Sequence, residues 1–324
     1  MLTYVIRRLL YSVVVLFVAS FIVFAGISWV SDPLAFIRMQ PNASKQTIAN
    51  ITERKHLDQP IPVRYVYWAQ DAVFHGFGTD TIRDQPIMPD LKRVMGHTLQ
   101  LVIVAEMLAL LIAVGIGVYS ALRQYSVVDY TATTFSFVGL ATPVFWLALM
   151  LQVFFVYIYL WFNVRIFYVA NLSAVDPGTG FHFVLDRIQH LALPWLVLMV
   201  ASIATYSRYM RASMLEVVNS DYVRTARAKG LPERSVTMKH AFRNALIPMV
   251  TLVALNFGAL LSGAVITETV FGLDGMGLYF INALNAGDPY PIMAWLMVTA
   301  TIVVIFNLVA DVAYGYLDPR VRYD

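Results

Sequence analysis

The sequence predicts an all-α integral membrane protein with six transmembrane helices, a long external loop after the first, and a short cytoplasmic helix between the fourth and fifth. Three observations carry this reading. Hydrophobic residues make up 59% of the 324 residues and charged residues only 13%, with a mean hydropathy of +0.66, the composition of a chain that takes lipid as its solvent. Six runs approach or exceed the roughly 20 apolar residues that a helix needs to cross the hydrocarbon, where every backbone polar group must be bonded within its own segment. Lys and Arg are also distributed unevenly among the connecting segments.

The runs are Leu9 to Val30, Leu99 to Leu122, Thr133 to Phe162, Leu191 to Tyr206, Ala245 to Thr267 and Ile292 to Tyr316. The first follows Arg7 and Arg8. It is too long for the apolar region of a signal peptide and no small-residue cleavage site follows, so it is expected to stay as a span. The third carries Pro143, which predicts a kink or a tilt. The fourth is the shortest, with Pro194 near its start, and is expected to continue as a helix past Arg208.

Orientation follows from the short loops, because Lys and Arg there resist translocation. Residues 207–244 hold eight of them (Arg208, Arg211, Arg224, Arg227, Lys229, Arg234, Lys239 and Arg243) against Glu216, Asp221 and Glu233. This segment is expected in the cytoplasm together with both termini, where Arg7, Arg8, Arg320 and Arg322 agree. Residues 268–291 carry Glu268, Asp274 and Asp288 and no Lys or Arg, as an external loop should. The segment 31–98 is also placed outside, since loops beyond about 60 residues cross largely regardless of charge. The resulting division is an N-terminus and first span (1–30), an external loop (31–98), a five-helix core (99–316) and a cytoplasmic tail (317–324).

Within the basic segment stands "DYVRTARAKGLPERSVTMKHAFRNALIP", Asp221 to Pro248. Asp221 can accept from a free backbone N–H, Gly230 can end a helix in the left-handed conformation, and Pro232 blocks continuation while suiting the start of another. A two-turn helix from Tyr222 to Lys229 is expected. So short a helix is marginal in water and must dock on something. Tyr222, Val223 and Ala226 would form its face, with Ala226 and Ala228 permitting close approach and Arg224 and Arg227 offering guanidinium forks to carboxylates. A solvated basic loop would explain the charges alone, but not the punctuation.

Several chemistries are excluded or disfavoured. Cysteine is absent, which removes disulfides, thiolate sites and thiol nucleophiles together. Gly258 to Gly263 and Gly272 to Gly277 have the glycine spacing of a phosphate loop, yet Ala264 and Leu278 stand where Lys is required, so no nucleotide site or catalytic residue is expected. The six His are dispersed, which argues against a metal site. Glu106 lies within the second span, where an unpaired charge costs roughly 2.5 to 3.5 kcal/mol, so it should be protonated, paired or turned to a watery path. Gln152, Asn256 and Asn307 are milder polar insertions that suit helix-to-helix hydrogen bonds. Ala254, Gly258 and Ser262 form a small-residue ridge for close helix approach, in a subunit contact, along a path or inside one bundle.

The passage Asp221 to Pro248 resembles the cytoplasmic loop signature of bacterial ABC importer permeases, in the extended form of the dipeptide, oligopeptide and nickel group. The general motif of Glu-Ala-Ala, three residues, Gly, nine residues, Ile, one residue and Leu-Pro is partly kept. Arg224, Thr225 and Ala226 occupy the Glu-Ala-Ala place, Gly230 is retained, and Ile247 and Pro248 close it late. "YVIRRLL", "LDQPIPVRY" (57–65), "HTLQL" (97–101), "VFGLDGMG" (270–277) and "LDPRVRY" extend the resemblance over nearly the whole chain, and the long first external loop resembles the B-type permease of a pair.

The resemblance implies a multi-pass subunit of the bacterial inner membrane that forms half of a peptide path and binds no cofactor itself. ATP and Mg would sit on two ABC ATPase subunits or domains, a homologous C-type permease would complete the path, and an external substrate-binding protein would deliver the ligand. No nucleic acid is implied, and the other partner is lipid. Residues 221–230 would be the coupling helix. Nickel-chelate and glutathione import share the pattern. An ion-coupled transporter is disfavoured because only one deep acid is present, without paired intramembrane acids or matching broken helices.

Overall fold

Residues 2–39 and 44–317 are described by the computed structural model, in which helices account for nearly all regular structure. Arg320 and Arg322 of the expected tail lie outside these residues. Among the described residues six helices are long and apolar enough to cross a membrane.

The first is α1 (Leu2–Val30). The described residues between 31 and 98 fold, as expected, into α2 (Ala35–Arg38), α3 (Lys45–Arg54) and α4 (Ile61–Phe74) before the next span begins. Ser44 starts α3 by accepting from Thr47 N at 3.0 Å. Pro60 and Pro86 precede α4 and α5 (Ile87–Leu122), at positions where the missing proline N–H removes no helical bond. Because α5 begins at Ile87, the expected boundary at Thr98 falls inside a continuous helix of 36 residues.

The expected third span is two helices. Its lower part is α6 (Val127–Ala141), started by Ser126 accepting from Asp129 N at 3.2 Å, and the spanning part is α7 (Val144–Phe162). Thr142 between them is extended, with φ −79° and ψ 119°, because the residue before a proline is pushed out of the helical region. Pro143 therefore breaks this segment rather than tilting it.

Next comes α8 (Phe181–Val218), 38 residues with Pro194 retained inside. It continues past Arg208, as expected, but its start at Phe181, ahead of the expected Leu191, was not legible, since that end is polar. After the short α9 (Asp221–Ala228), α10 (Glu233–Ser235) passes through a π-helical turn, Val236–Phe242, into α11 (Arg243–Leu261). The fifth span stops at Leu261, short of the expected Thr267. Gly263 takes a φ of +123° and α12 (Val265–Phe271) starts anew. α13 (Met276–Ala286) and α14 (Pro289–Leu317) complete the chain.

The centre of the bundle is the α5–α8 pair. At Gly117 an added Cβ would lie 2.6 Å from the Met210 Cβ and 2.8 Å from the Ser207 carbonyl oxygen, so only glycine lets these helices approach so closely. Residues 31–39, 44–98, 163–180 and 262–288 gather at one end of the bundle. There the Asp288 carboxylate accepts from Thr81 N at 2.6 Å and Thr81 Oγ1 at 3.0 Å, Asn171 N donates to Phe271 O, and Glu268 accepts from Thr98 Oγ1 at 2.7 Å and Gly277 N at 2.6 Å. Burial pushes the Asp288 carboxyl above its ordinary value, against the pull of those donors. At the other end Arg8 pairs with Asp311, and Arg211 grips Asp129 with Nε at 2.6 Å and Nη2 at 2.7 Å.

The Arg211–Asp129 fork fastens α6 to α8, with the Asp129 side chain buried and that of Arg211 27% exposed. Removing one partner of a buried pair costs about 3 to 5 kcal/mol, and partial exposure of Arg211 puts Asp129→Asn near the lower end. Arg211 holds the Asp129 carboxyl below its usual range. The stabilisation is thus complete above about pH 3.9, the unfolded value, and is lost as pH falls through the lowered folded one. Thermal unfolding of purified protein should show a lower Tm for Asp129→Asn at pH 7, with the gap narrowing in acid; an unchanged Tm at pH 7 refutes the fastening role.

Candidate coupling surface and intramembrane polar centre

The expected short helix is present as α9, one residue earlier than its sequence punctuation suggested. Ser220, not Asp221, occupies the N-cap, and its hydroxyl donates back to Val217 O at 2.6 Å. Asp221 is the first helical residue, fully exposed, where its charge favours the positive end of the helix dipole. Gly230 N donates to Arg227 O at 2.9 Å and Gly230 takes a φ of +76°. No atom lies within 4 Å of the place a Cβ would take, so glycine is required there by backbone conformation and not by space.

The orientation of α9 departs from the expected face. Val223 and Ala226 are 0% and 6% exposed. They pack inward on Met210 and Met214 of α8 and on Val236, Ala241 and Ala245 of the helix leading into α11. Ala226 thus serves close approach to its own bundle. Tyr222, Arg224, Thr225, Ala228 and Lys229 are exposed. Arg227 is not a free fork: Nη2 donates to Glu233 Oε1 at 2.9 Å and Nε to both carboxylate oxygens at 3.2 Å. It clamps the end of α9 to the start of α10. A small helix with one face held in the bundle and the other in water is a rigid knob, joined through packing to two spanning helices.

Deep in the bundle, Glu106 is 1% exposed. Ser202 Oγ donates to its Oε1 at 2.5 Å, and Tyr206 OH to its Oε2 at 2.6 Å. Asn256 Nδ2 lies 2.7 Å from Tyr206 OH and 3.4 Å from Oε2. One carboxyl group therefore joins α5, α8 and α11, which answers why an acid is tolerated at this depth. Gln152 serves more simply, donating to Val169 O and Val270 O at 2.7 and 3.0 Å.

Of the small-residue ridge, Gly258 packs against α14 of this chain. A Cβ on Gly258 would meet the Phe306 Cβ of α14 at 2.9 Å, and the Phe257 ring stacks on Phe306 with centroids 5.6 Å apart. Ala254 lines an apolar groove of about 420 Å³ beside them. Ser262 closes α11, its hydroxyl donating to Gly258 O at 3.1 Å.

Glu268 was read from sequence only as an external acid. It is fully buried and accepts from the first backbone N–H groups of α13, Gly277 and Leu278, meeting donors that a helix start leaves unpaired. The turn from Gly272 to Gly277 before that helix was the available signal. Among the described residues no three of His, Cys, Asp or Glu come together to hold a metal ion.

Six spanning helices with a short basic helix at one end define a polytopic membrane protein. Family comparison agrees: residues 113–323 match the model "Binding-protein-dependent transport system inner membrane component" and residues 1–86 match its N-terminal companion, "Binding-prot-dependent transport system membrane comp, N-term". The chain belongs to this family and is a multi-pass inner-membrane transport component rather than an enzyme. It is 37% identical over 327 residues to the oligopeptide transport system permease protein AppB of Bacillus subtilis, and 38% identical over 333 residues to the dipeptide transport system permease protein DppB of Alkalihalophilus pseudofirmus. Each alignment covers 100% of both chains. The oligopeptide transport system permease protein OppB of Mycobacterium tuberculosis is 37% identical over 99% of both chains. The fold is similar to a chain of the MetNI methionine ABC transporter, solved in inward-facing conformations, with a TM-score of 0.56 and 14% identity over 72% of this chain and 99% of that one.

The polar centre is open to test. Glu106→Leu leaves buried hydroxyls of Ser202 and Tyr206 without their acceptor, at a cost of about 1 to 3 kcal/mol. Glu106→Gln keeps an acceptor and should lose less. Tm values in detergent for the two variants should fall in that order below the parent; equal values for all three remove the bracing role.

Proposed function

We propose that this chain is one permease subunit of an ATP-driven peptide importer, and that α9 is its coupling helix. The full-length likeness to permeases named for oligopeptide and dipeptide transport supports the substrate class. The observation that carries the mechanism is the two-sided character of α9, with Val223 and Ala226 seated in the bundle and Tyr222, Arg224 and Thr225 exposed.

In this reading the basic end, residues 207–244, faces the cytoplasm along with both termini, and residues 31–98 face outward. The exposed side of α9 sits in a groove of an ATPase subunit, where Arg224 and Lys229 meet carboxylates. A second permease of the same family supplies the other half of the path and a second knob, and an external binding protein delivers the peptide. ATP and Mg act on the ATPases.

This chain contributes mechanical linkage. Displacement of α9 is transmitted to α8 through Met210 and Met214 and to α11 through Val236, Ala241 and the Arg227–Glu233 clamp. Glu106, Ser202, Tyr206 and Asn256 would keep α5, α8 and α11 moving as one body. Residues 99–316 form the moving core in this scheme, with 1–30 and 31–98 attached at its side.

Gly230→Val tests the coupling directly. Its open surroundings exclude a clash, so the change acts only through the left-handed backbone, at roughly 1 to 2 kcal/mol or more for a β-branched residue. Insertion should be nearly normal, while substrate-stimulated ATP hydrolysis by the assembled complex should fall severalfold. The double variant Tyr222→Ala, Arg224→Glu, which touches only exposed positions, should do the same and weaken ATPase co-purification. Normal stimulation in both would show that α9 is not the coupling element.

Topology is tested separately. The chain has no cysteine, so a single Lys239→Cys, exposed and off the docking face of α9, gives an unambiguous label site. It should react with an impermeant maleimide in inside-out vesicles and not in intact cells; the reverse pattern inverts the assignment.

A further inference from the structure

Helix α4 has apolar residues on two sides. One side packs against α1: Tyr65 and Trp68 are buried, the Tyr65 hydroxyl is 2.8 Å from Ser20 Oγ, and its ring meets Phe17, Phe21 and Phe24 edge-on at 5.1 to 5.7 Å. The other side is exposed. Val66, Val73 and Phe74 are 53%, 75% and 76% accessible, and with only Gln70 among them they make a mainly apolar surface that a water-facing segment rarely leaves bare.

The depth of α4 identifies its solvent. Two contacts frame α1 against α14: Arg8 pairs with Asp311 at one end, and Ser31 Oγ donates to Gly287 O at 3.1 Å at the other. Their separation along α1 is about 34 Å at 1.5 Å per residue, close to the roughly 30 Å of a bilayer's hydrocarbon. Ser20 stands about 18 Å from the first contact and about 16 Å from the second. A helix whose tyrosine reaches Ser20 lies within the leaflet on the Ser31 side.

α4 also crosses α1 rather than running along it. Residues from Pro62 to Phe74, about 18 Å of helix, line one crevice with Phe17, Val18 and Phe21, about 6 Å of α1. The crevice measures about 590 Å³ and its walls are apolar except for Gln70 and the Tyr65 hydroxyl, and that hydroxyl is already bonded to Ser20.

We propose that α4 is an in-plane helix sunk into the leaflet on the Ser31 side, and that lipid acyl chains fill the crevice beneath it. The exposed stripe of α1, with Leu10, Val14 and Phe17 59% to 63% accessible, runs directly into the crevice, so the surface is continuous with the lipid-facing wall of a spanning helix. A crevice of this size suits flexible chains better than a helix about 10 to 12 Å across. The segment 31–98 is then partly a membrane element, bound to lipid through α4 whichever way the chain is oriented.

The test is site-directed spin labelling of single cysteines at Val66 and Phe74 in the full chain, assembled with its partner subunits in nanodiscs of phosphatidylethanolamine and phosphatidylglycerol. Val14→Cys serves as the lipid reference and Lys45→Cys, exposed at the start of the polar helix α3, as the water reference. Both test positions are exposed, so labels there disturb no packing, and Val73→Cys replaces either one that fails to assemble. Collision rates with oxygen should exceed those with a nickel chelate severalfold at 66 and 74, as at 14 and opposite to 45. Rates that match position 45 would place α4 in water and overturn the proposal. Low rates with both reagents would mean that protein covers this face, and overturn it equally. The readout depends on neither ATP coupling nor orientation, so its failure is distinct from failure of the importer reading.

Discussion

The whole bundle depends on how closely α5 and α8 can approach. Gly117 removes the Cβ that would strike Met210, and the Glu106 carboxyl then spans the gap to Ser202 and Tyr206. The two interactions hold the same pair of helices at different levels, about three turns apart on α5, one by close packing and the other by hydrogen bonds that satisfy a buried acid. α6 is then fastened to the pair by Asp129 and Arg211, and α11 by Asn256, so several elements take their place from one seam.

Because lipid tails are as apolar as leucine, burial alone does not drive helix association within a membrane; close packing and polar contacts carry more of it. This fits where the polar residues are found. Glu106, Gln152 and Asn256 each connect separate elements, and Glu268 completes the start of α13. The aqueous end follows the opposite rule. There α9 is held by apolar burial of Val223 and Ala226, and its charges are left outside except for Arg227, which ties α9 to α10.

The punctuation of the short helix was legible because capping and termination are local physics. Gly230 and Pro232 act on their own backbone and need no partner to be read. The face of α9 was not legible, since a Val–Ala stripe serves equally well against one's own bundle or another protein, and only the positions of Met210 and Met214 decide between them. Pro143 and Pro194 make the same point. Each removes one donor, yet α8 runs through Pro194 while the chain breaks at Thr142. The sequence around them does not tell the two outcomes apart.

Composition, the apolar runs and the Lys and Arg distribution by themselves determined an all-helical membrane protein of six spans with a basic, punctuated loop after the fourth, and its motifs resembled the family to which it belongs. These are properties of each segment with its solvent, and they do not depend on what lies beside it. Only the tertiary structure decided that Glu106 is a brace, that Glu268 starts a helix, that the ridge at Gly258 meets Phe306, and that α4 lies across α1 at the level of Ser20. Each of these joins residues far apart in the chain, and a one-dimensional pattern carries no record of which distant side chain fills the space or takes the hydrogen bond.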